Sequence, residues 1–169
     1  LTKECMLSLY YSYIHPYINY GNIAWASIYK TNLQKVHRLQ KPAIRLVFNK
    51  NRFDHTRELF RSNNILNTYQ VNILKNLMFM QQVSTNSAPL NFLTKFQKPS
   101  YMYQTRFSNT NYSRPISALE KSKYRISSRG PYLWNNYLSN NKMHNRNLQT
   151  FKSNLKSKIL NCENEKDFF

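Results

Sequence analysis

The chain has 169 residues and carries 25 Lys and Arg against 7 Asp and Glu, which gives a net charge of +18. Its length suits one domain or part of one, and 41% hydrophobic and 15% aromatic residues can form a core, which excludes a wholly disordered chain. Only two glycines are present, which excludes a Gly-rich phosphate loop and a dinucleotide-binding fingerprint. Cys5 and Cys162 are too far apart in sequence for a C-x-x-C metal pair or a disulfide framework, so we expect an intracellular, cytoplasmic or nuclear, location.

The positive charge is concentrated between positions 5 and 162. In this stretch 23 basic residues accompany three acidic ones, Asp54, Glu58 and Glu120, so its net charge is +20. Such an imbalance predicts an anionic polymer as the partner. Abundant Lys and Asn are also typical of proteins encoded by A/T-rich DNA, which is an alternative source of part of the charge.

Residues 5–29 contain no Asp, Glu, Lys or Arg. The run is long enough for a transmembrane helix, but His15, Pro16 and several tyrosines interrupt it, so we expect a buried helix and a turn and no membrane contact. Thr2 is predicted to cap this helix, and Pro16 to kink or shorten it. Its predicted inner face comprises Met6, Leu9, Tyr10, Tyr13, Ile14 and Tyr17.

A second helix is predicted to begin at Thr31 or Asn32, and its periodicity is the clearest in the chain. Its inner face comprises Leu33, Val36, Leu39, Gln40, Ala43, Ile44 and Val47. Basic residues occupy the opposite side of the same helix. Pro42 lies within the pattern and predicts a kink, because proline cannot donate the helical hydrogen bond.

Most of the remaining sequence also predicts helices. They span 57–63, 68 or 69 to 83, 130–138 (opened by Gly130-Pro131) and 147–160. The helix ending at 83 is apolar nearly all round and is predicted to be central. Residues 101–107 and 124–128 are predicted to pair as two short strands. The predicted fold class is therefore mainly α, with a helical bundle in 1–87 and a small two-stranded β element and terminal helices in 88–169.

The sequence shows no catalytic constellation. Asp54 and Glu58 are the only internal carboxylate pair, whereas two-metal enzymes need two or three closely placed carboxylates. With Arg57 and Arg61 nearby, the pair is predicted to be solvated at a helix start. The four histidines are scattered and have no Cys partners. We therefore expect no catalytic residue, metal ligand or cofactor in this chain.

Basic residues interleaved with aromatic ones predict a nucleic-acid-binding surface, because cations neutralise phosphates and rings stack on bases. The candidate binding residues are Lys35, Arg38, Lys41, Arg45, Arg106, Arg125 and Arg129. The interleaved rings are Tyr101, Tyr103, Phe107, Tyr112 and Tyr124. The alternative is that the tyrosines fill a core and the lysines are ordinary solvated charge. Trp134 is expected to be packed in the core.

Several short motifs follow one another in a defined order. They are LYYSYIHPYINYG at 9–21, Trp25, LQK at 39–41, AIR at 43–45, HT at 55–56, LF at 59–60, IL at 65–66, YQTR at 103–106, GPYLWN at 130–135, FK at 151–152 and LK at 155–156. In order and spacing this set resembles the C-terminal region of reverse transcriptases of non-LTR (LINE-type) retrotransposons, particularly the jockey-like and CR1-like groups. The resemblance covers residues 7–160.

The resemblance implies a thumb in 1–87 and a post-thumb region in 88–169. Family members carry their catalytic carboxylates, which hold Mg²⁺, in an upstream Phe/Tyr-Ala-Asp-Asp motif, and this chain has no Asp-Asp. The implied protein is a C-terminal fragment of an RNA-directed DNA polymerase that is inactive alone. Its implied partners are RNA, DNA or an RNA/DNA hybrid, and the palm and fingers upstream. A structural module packed on the palm and a decayed relic without activity remain alternatives.

Overall fold

A computed structural model describes residues 2–26, 30–99, 111–116, 119–140 and 147–161, which are mainly helical. The predicted mainly α class is confirmed. The predicted β element is wrong, because these residues contain no strand: positions 124–128 form a turn and the start of a helix. That helix forms because Ile126, Leu133, Trp134 and Tyr137 share one helical face. The other predicted strand, 101–107, lies outside the described residues.

The N-terminal segment is helical with a π turn in its middle. Helix α1 spans Lys3–Leu9, the π turn spans Tyr10–Ile14, and α2 spans His15–Asn19. The predicted cap of α1 is confirmed, since the Thr2 hydroxyl accepts a hydrogen bond from the Cys5 backbone N–H at 3.4 Å.

Pro16 shifts the register of this segment instead of ending it. A proline ring crowds the carbonyl four residues before it and offers no N–H, and the wider π turn relieves this conflict. The His15 backbone N–H accordingly donates to the Tyr10 carbonyl, five residues back. Because a π turn holds an extra residue, Ile18 points inward where a regular helix would place Tyr17. The exposed members of the predicted inner face are Leu9, Tyr13 and Tyr17.

Two helices come after a tight turn at Gly21, whose φ of +57° suits glycine because it has no Cβ. Helix α3 spans Asn22–Trp25, and α4 spans Lys30–Val47. The predicted caps of α4 were wrong, because residues 31 and 32 lie inside the helix. The helix also continues through Pro42, which is exposed, so water can satisfy the carbonyl that lacks its helical donor.

Helix α5 spans Arg57–Ser62, and α6, spanning Thr68–Ser84, is the central helix that the sequence predicts. α6 begins with a capping box: the Asn67 side chain accepts from the Gln70 N–H at 2.9 Å, and the Gln70 side chain accepts from the Asn67 N–H at 3.0 Å. Helices α3, α4, α9 and α10 pack against α6. Burial on nearly all sides explains why α6 has no polar face.

The C-terminal half contributes four described helices. They are α7 (Leu90–Leu93), α8 (Glu120–Lys123), α9 (Ile126–Asn140) and α10 (Leu148–Asn161). The prediction for α10 is confirmed, with the Asn147 side chain accepting from the Gln149 N–H at 3.0 Å at its start. α9 begins four residues earlier than predicted, so Gly130 and Pro131 lie within the helix and do not open it.

The main core lies around α6. Its most enclosed side chains, each at most 2% exposed, are Val71, Ile73, Leu77, Met80, Trp134, Phe151, Leu155 and Ile159. A second cluster joins the π turn to α4 and α5 and comprises Tyr10, Ile44, Val47, Phe60 and Ile65. The main core uses residues from both sides of position 87, and the division into a thumb and a post-thumb region stays a prediction.

Replacing Gly130 by alanine is expected to destabilise the protein by about 1–2 kcal/mol. Alanine favours a helix by about 1 kcal/mol, but its Cβ would lie 2.8 Å from Met80 Sδ and 3.3 Å from Ile126 Cδ1. Met80 is fully buried and has little room to move. Urea unfolding followed by circular dichroism measures the loss. In a Met80→Ala background the same substitution should become stabilising; a loss of equal size there would contradict the close approach.

Candidate nucleic-acid interface

Helix α4 presents four of the predicted binding residues. Lys35 and Arg38 are exposed, and Lys41 and Arg45 are half-buried. The helix turns by about 100° per residue, which places Lys35, Arg38 and Arg45 on the outer side and Lys41 at the edge of the buried side. We call these four residues the α4 basic face. The helix contains no Asp or Glu.

The inner side of α4 explains this orientation. Leu33, Gln40 and Ile44 are each at most 1% exposed, as the sequence predicts. Leu39 was wrongly assigned to this side, since it is 75% exposed. It lies about 100° from the centre of the buried stripe, near the exposed Leu46, so the outer surface of α4 mixes cations with two leucines.

Arg45 differs from its neighbours because its guanidinium is held in place. Its Nε donates to the Asp54 backbone carbonyl at 2.9 Å, and the Asp54 carboxylate accepts from the Asn51 N–H at 2.9 Å. These bonds tie the end of α4 to the connector between α4 and α5. Arg45 therefore has a structural role besides any contact with a ligand.

Arg125 and Arg129, two further predicted binding residues, do not belong to the α4 basic face. Arg125 is exposed at the turn before α9. Arg129 is 5% exposed, with its guanidinium 5.9 Å from the centre of the Tyr124 ring. Burial lowers the pKa of Arg129 to about 10, so the group stays cationic at neutral pH inside the protein. Arg106 lies outside the described residues.

A pocket of 840 Å³ contains Arg125 and two lysines that sequence reasoning missed. We call it the cationic pocket. Its lining includes Lys75 from α6, Lys95 from the turn after α7, and Arg125, with three phenylalanines, Phe79, Phe92 and Phe96. The sequence offered no signal for it, because the lining comes from four separate stretches of the chain that only the fold brings together.

The three rings form one wall of the cationic pocket. The Phe79 ring lies edge-on to Phe92 at 5.4 Å and to Phe96 at 5.9 Å between ring centres. Such edge-to-face geometry is favourable for aromatic pairs and leaves part of each ring surface free. Phe92 is 38% exposed and Phe96 is buried. The wall is thus anchored in the core at one end and open to solvent at the other.

Lys75 and Lys156 place positive charge around His15. Burial lowers the pKa of His15, and the positive charges of Lys75 and Lys156 lower it further. His15 is therefore neutral at neutral pH, and the field that acts on it comes from cations.

The described residues offer no acidic or metal-binding centre that competes with anion binding. They contain no cluster of three or more His, Cys, Asp and Glu, and the Asp54 carboxylate accepts a hydrogen bond from the Asn51 backbone N–H. None of the helices described is long and apolar enough to cross a bilayer.

Comparisons with protein-family models, with curated proteins and with solved structures found no match to this chain.

Proposed function

We propose that this chain binds an RNA/DNA hybrid through the α4 basic face, as the thumb and post-thumb part of a LINE-type reverse transcriptase. The observation that carries the proposal is the electrostatics of α4. Its outer side presents Lys35, Arg38, Lys41 and Arg45, and the helix has no carboxylate to offset them. The motif order in 7–160 supports the same assignment.

The geometry suits a duplex backbone. From Lys35 to Arg45 the helix rises by about 15 Å, while a duplex carries one negative charge per about 1.7 Å of its axis. Several phosphates can therefore approach one helix side at once. Binding releases the counterions that those phosphates held, which is the main source of affinity in contacts of this kind.

The proposed role is to hold nucleic acid and not to polymerise it. The chain has no Asp-Asp motif, and between positions 5 and 162 its acidic residues are Asp54, Glu58 and Glu120. In the proposed protein the catalytic carboxylates and their Mg²⁺ belong to the palm. What α4 contributes is a set of cations on the outer side of a helix whose inner side is packed in the core.

Reversing three charges of the α4 basic face should abolish most of the hybrid binding. We expect Lys35→Glu/Arg38→Glu/Lys41→Glu to weaken affinity for a blunt RNA/DNA hybrid by about ten- to a hundredfold at physiological salt, because three phosphate contacts become repulsive. Arg45 is left unchanged, since it also holds the Asp54 carbonyl. Fluorescence anisotropy with a labelled hybrid measures the affinity.

The matched control makes the same change in net charge at residues outside α4. Lys98→Glu/Lys123→Glu/Lys152→Glu reverses three exposed lysines outside α4. It should weaken binding several-fold less than the α4 variant. Equal losses in the two variants would show general attraction without an α4 site, and full affinity in the α4 variant would refute the proposal.

A structural module packed on a polymerase domain is the second candidate. The exposed Leu39 and Leu46 on the outer side of α4 favour it, because exposed apolar side chains suit a protein partner better than a phosphate backbone. Under this alternative, the α4 variant and its control bind the hybrid equally. The same pair of variants therefore separates the two candidates.

A further inference from the structure

The cationic pocket combines aromatic side chains with positive charge on its lining. Lys95 Nζ lies 5.9 Å from the centre of the Phe92 ring, and Lys75 and Arg125 lie on the lining around the same space. None of the described lining residues is acidic. Asn19 and Ser127 add a partly exposed amide and a hydroxyl that can hydrogen-bond a ligand.

The part of the pocket lining around Asn22 is held in place by hydrogen bonds to the core. Asn22 is 2% exposed, its Nδ2 donates to the Ile18 carbonyl at 2.9 Å, and its Oδ1 accepts from Asn72 Nδ2 at 2.9 Å. These bonds fasten the turn at Gly21 to the central helix α6. This part of the lining is therefore attached to the core and is not a freely moving loop.

The charge and polarity of the lining residues indicate which class of ligand the pocket can bind. A divalent cation is excluded by three cations and the lack of carboxylates on the described lining, and a neutral apolar ligand would make no favourable contact with the three cations. A duplex is too wide to enter a concave pocket. What remains is a flat ring system joined to a negative group. A volume of 840 Å³ is ample for such a molecule, since small-molecule sites occupy about 300–1,000 Å³.

We propose that the cationic pocket holds one unpaired nucleotide of a bound strand, with its base against Phe92 and its phosphate at Lys75, Lys95 and Arg125. This inference rests on the proposed function, because the strand must already be held by the chain. Stacking on aromatic side chains accepts every base, so the pocket binds without sequence preference. It distinguishes a strand with a free end or flap from a fully paired duplex.

The test compares two probes on the whole chain by fluorescence anisotropy: a blunt RNA/DNA hybrid, and the same hybrid with a short single-stranded overhang. We expect the overhang to raise the affinity of the unmodified chain by about five- to a hundredfold. Lys95→Glu/Arg125→Glu should remove that preference, as should Phe92→Ala, which leaves the charge unchanged. All three residues are at least partly exposed, so the core is retained.

The control for the pocket variants is Lys50→Glu/Lys152→Glu, which makes the same charge change at exposed lysines outside the pocket. It should keep the preference for the overhang. The Lys35→Glu/Arg38→Glu/Lys41→Glu variant should lose affinity for both probes and keep their ratio. These results together would place the duplex on α4 and the unpaired nucleotide in the pocket.

Crosslinking adds a measurement that needs no variant. A thiouridine placed in the overhang and activated by light should crosslink to peptides that contain Phe79, Phe92 or Lys95. Crosslinks confined to other peptides would overturn the pocket assignment. Equal affinity for both probes, or an unchanged preference in both pocket variants, would overturn it while leaving the proposed function intact. Failure to bind either probe would refute the proposed function and the pocket together.

Discussion

Gln40→Met is expected to lower the free energy of unfolding by about 3–5 kcal/mol, although methionine has nearly the same volume. Gln40 is 1% exposed and joins three segments. Its Nε2 donates to the Tyr10 hydroxyl at 2.8 Å and to the Leu66 carbonyl at 3.1 Å. Its Oε1 accepts from the backbone N–H and the hydroxyl of Thr68, both at 2.9 Å.

The loss of stability arises because the hydrogen-bonding partners of Gln40 are buried and cannot bond to water instead. Thr68 is fully buried and its N–H is the first of α6, where no carbonyl of the same helix can accept it. Each buried polar group left without a partner costs about 1–3 kcal/mol. Methionine fills the space but accepts no strong hydrogen bond, so the loss reports the polar network and not a cavity.

Urea unfolding followed by circular dichroism measures the change, and Gln34→Met is the matched control. Gln34 lies on the same helix at a partly exposed position, so its replacement should alter stability by no more than about 0.5 kcal/mol. Equal effects of the two substitutions would contradict a role for Gln40 in joining α4 to α6.

Trp134→Ala is expected to lower the free energy of unfolding by about 3–5 kcal/mol, because it leaves an empty space in the core. Trp134 is 2% exposed, which confirms the prediction that it is packed. Its ring centre lies 6.2 Å from that of Phe151, so it joins α9 to α10 next to α6. Removing the indole leaves only the Tyr137 ring, 6.0 Å from Phe151 between ring centres, of the two described ring contacts between these helices.

The same unfolding measurement tests this prediction. Trp134→Phe should recover part of the loss, because a ring still fills most of the space. Tyr13→Ala removes an aromatic ring that is 68% exposed, and should change stability by less than about 1 kcal/mol. A small loss for Trp134→Ala, comparable to that at Tyr13, would show that α9 and α10 do not depend on this contact.

The sequence predicts the helices whose signals are local. α6 and α10 appear near their predicted bounds because apolar residues recur at helical spacing and Asn67 and Asn147 cap them. Gln40 also falls on the inner side of α4 as its spacing requires. What spacing cannot supply is the partner: nothing near Gln40 in sequence indicates Tyr10 or Thr68.

The failures have physical causes at identifiable positions. The π turn before Pro16 rotates the start of α2, so Tyr17 is exposed and Ile18 buried. α9 absorbs the predicted strand at 124–128 and includes Gly130, which is there because Met80 of α6 approaches closely. The cationic pocket depends on tertiary structure alone. Of the predicted binding residues, spacing could place the α4 basic face but could not tell that Arg129 is buried.

The salt dependence of hybrid binding tests the central proposal most directly. On a plot of the logarithm of affinity against the logarithm of salt concentration, each phosphate contact contributes a slope of about 0.7–0.9. The unmodified chain and the Lys98/Lys123/Lys152 control should give the same steep slope. Lys35→Glu/Arg38→Glu/Lys41→Glu should give one shallower by about 2–3. A slope in that variant equal to that of the unmodified chain would contradict phosphate binding by α4.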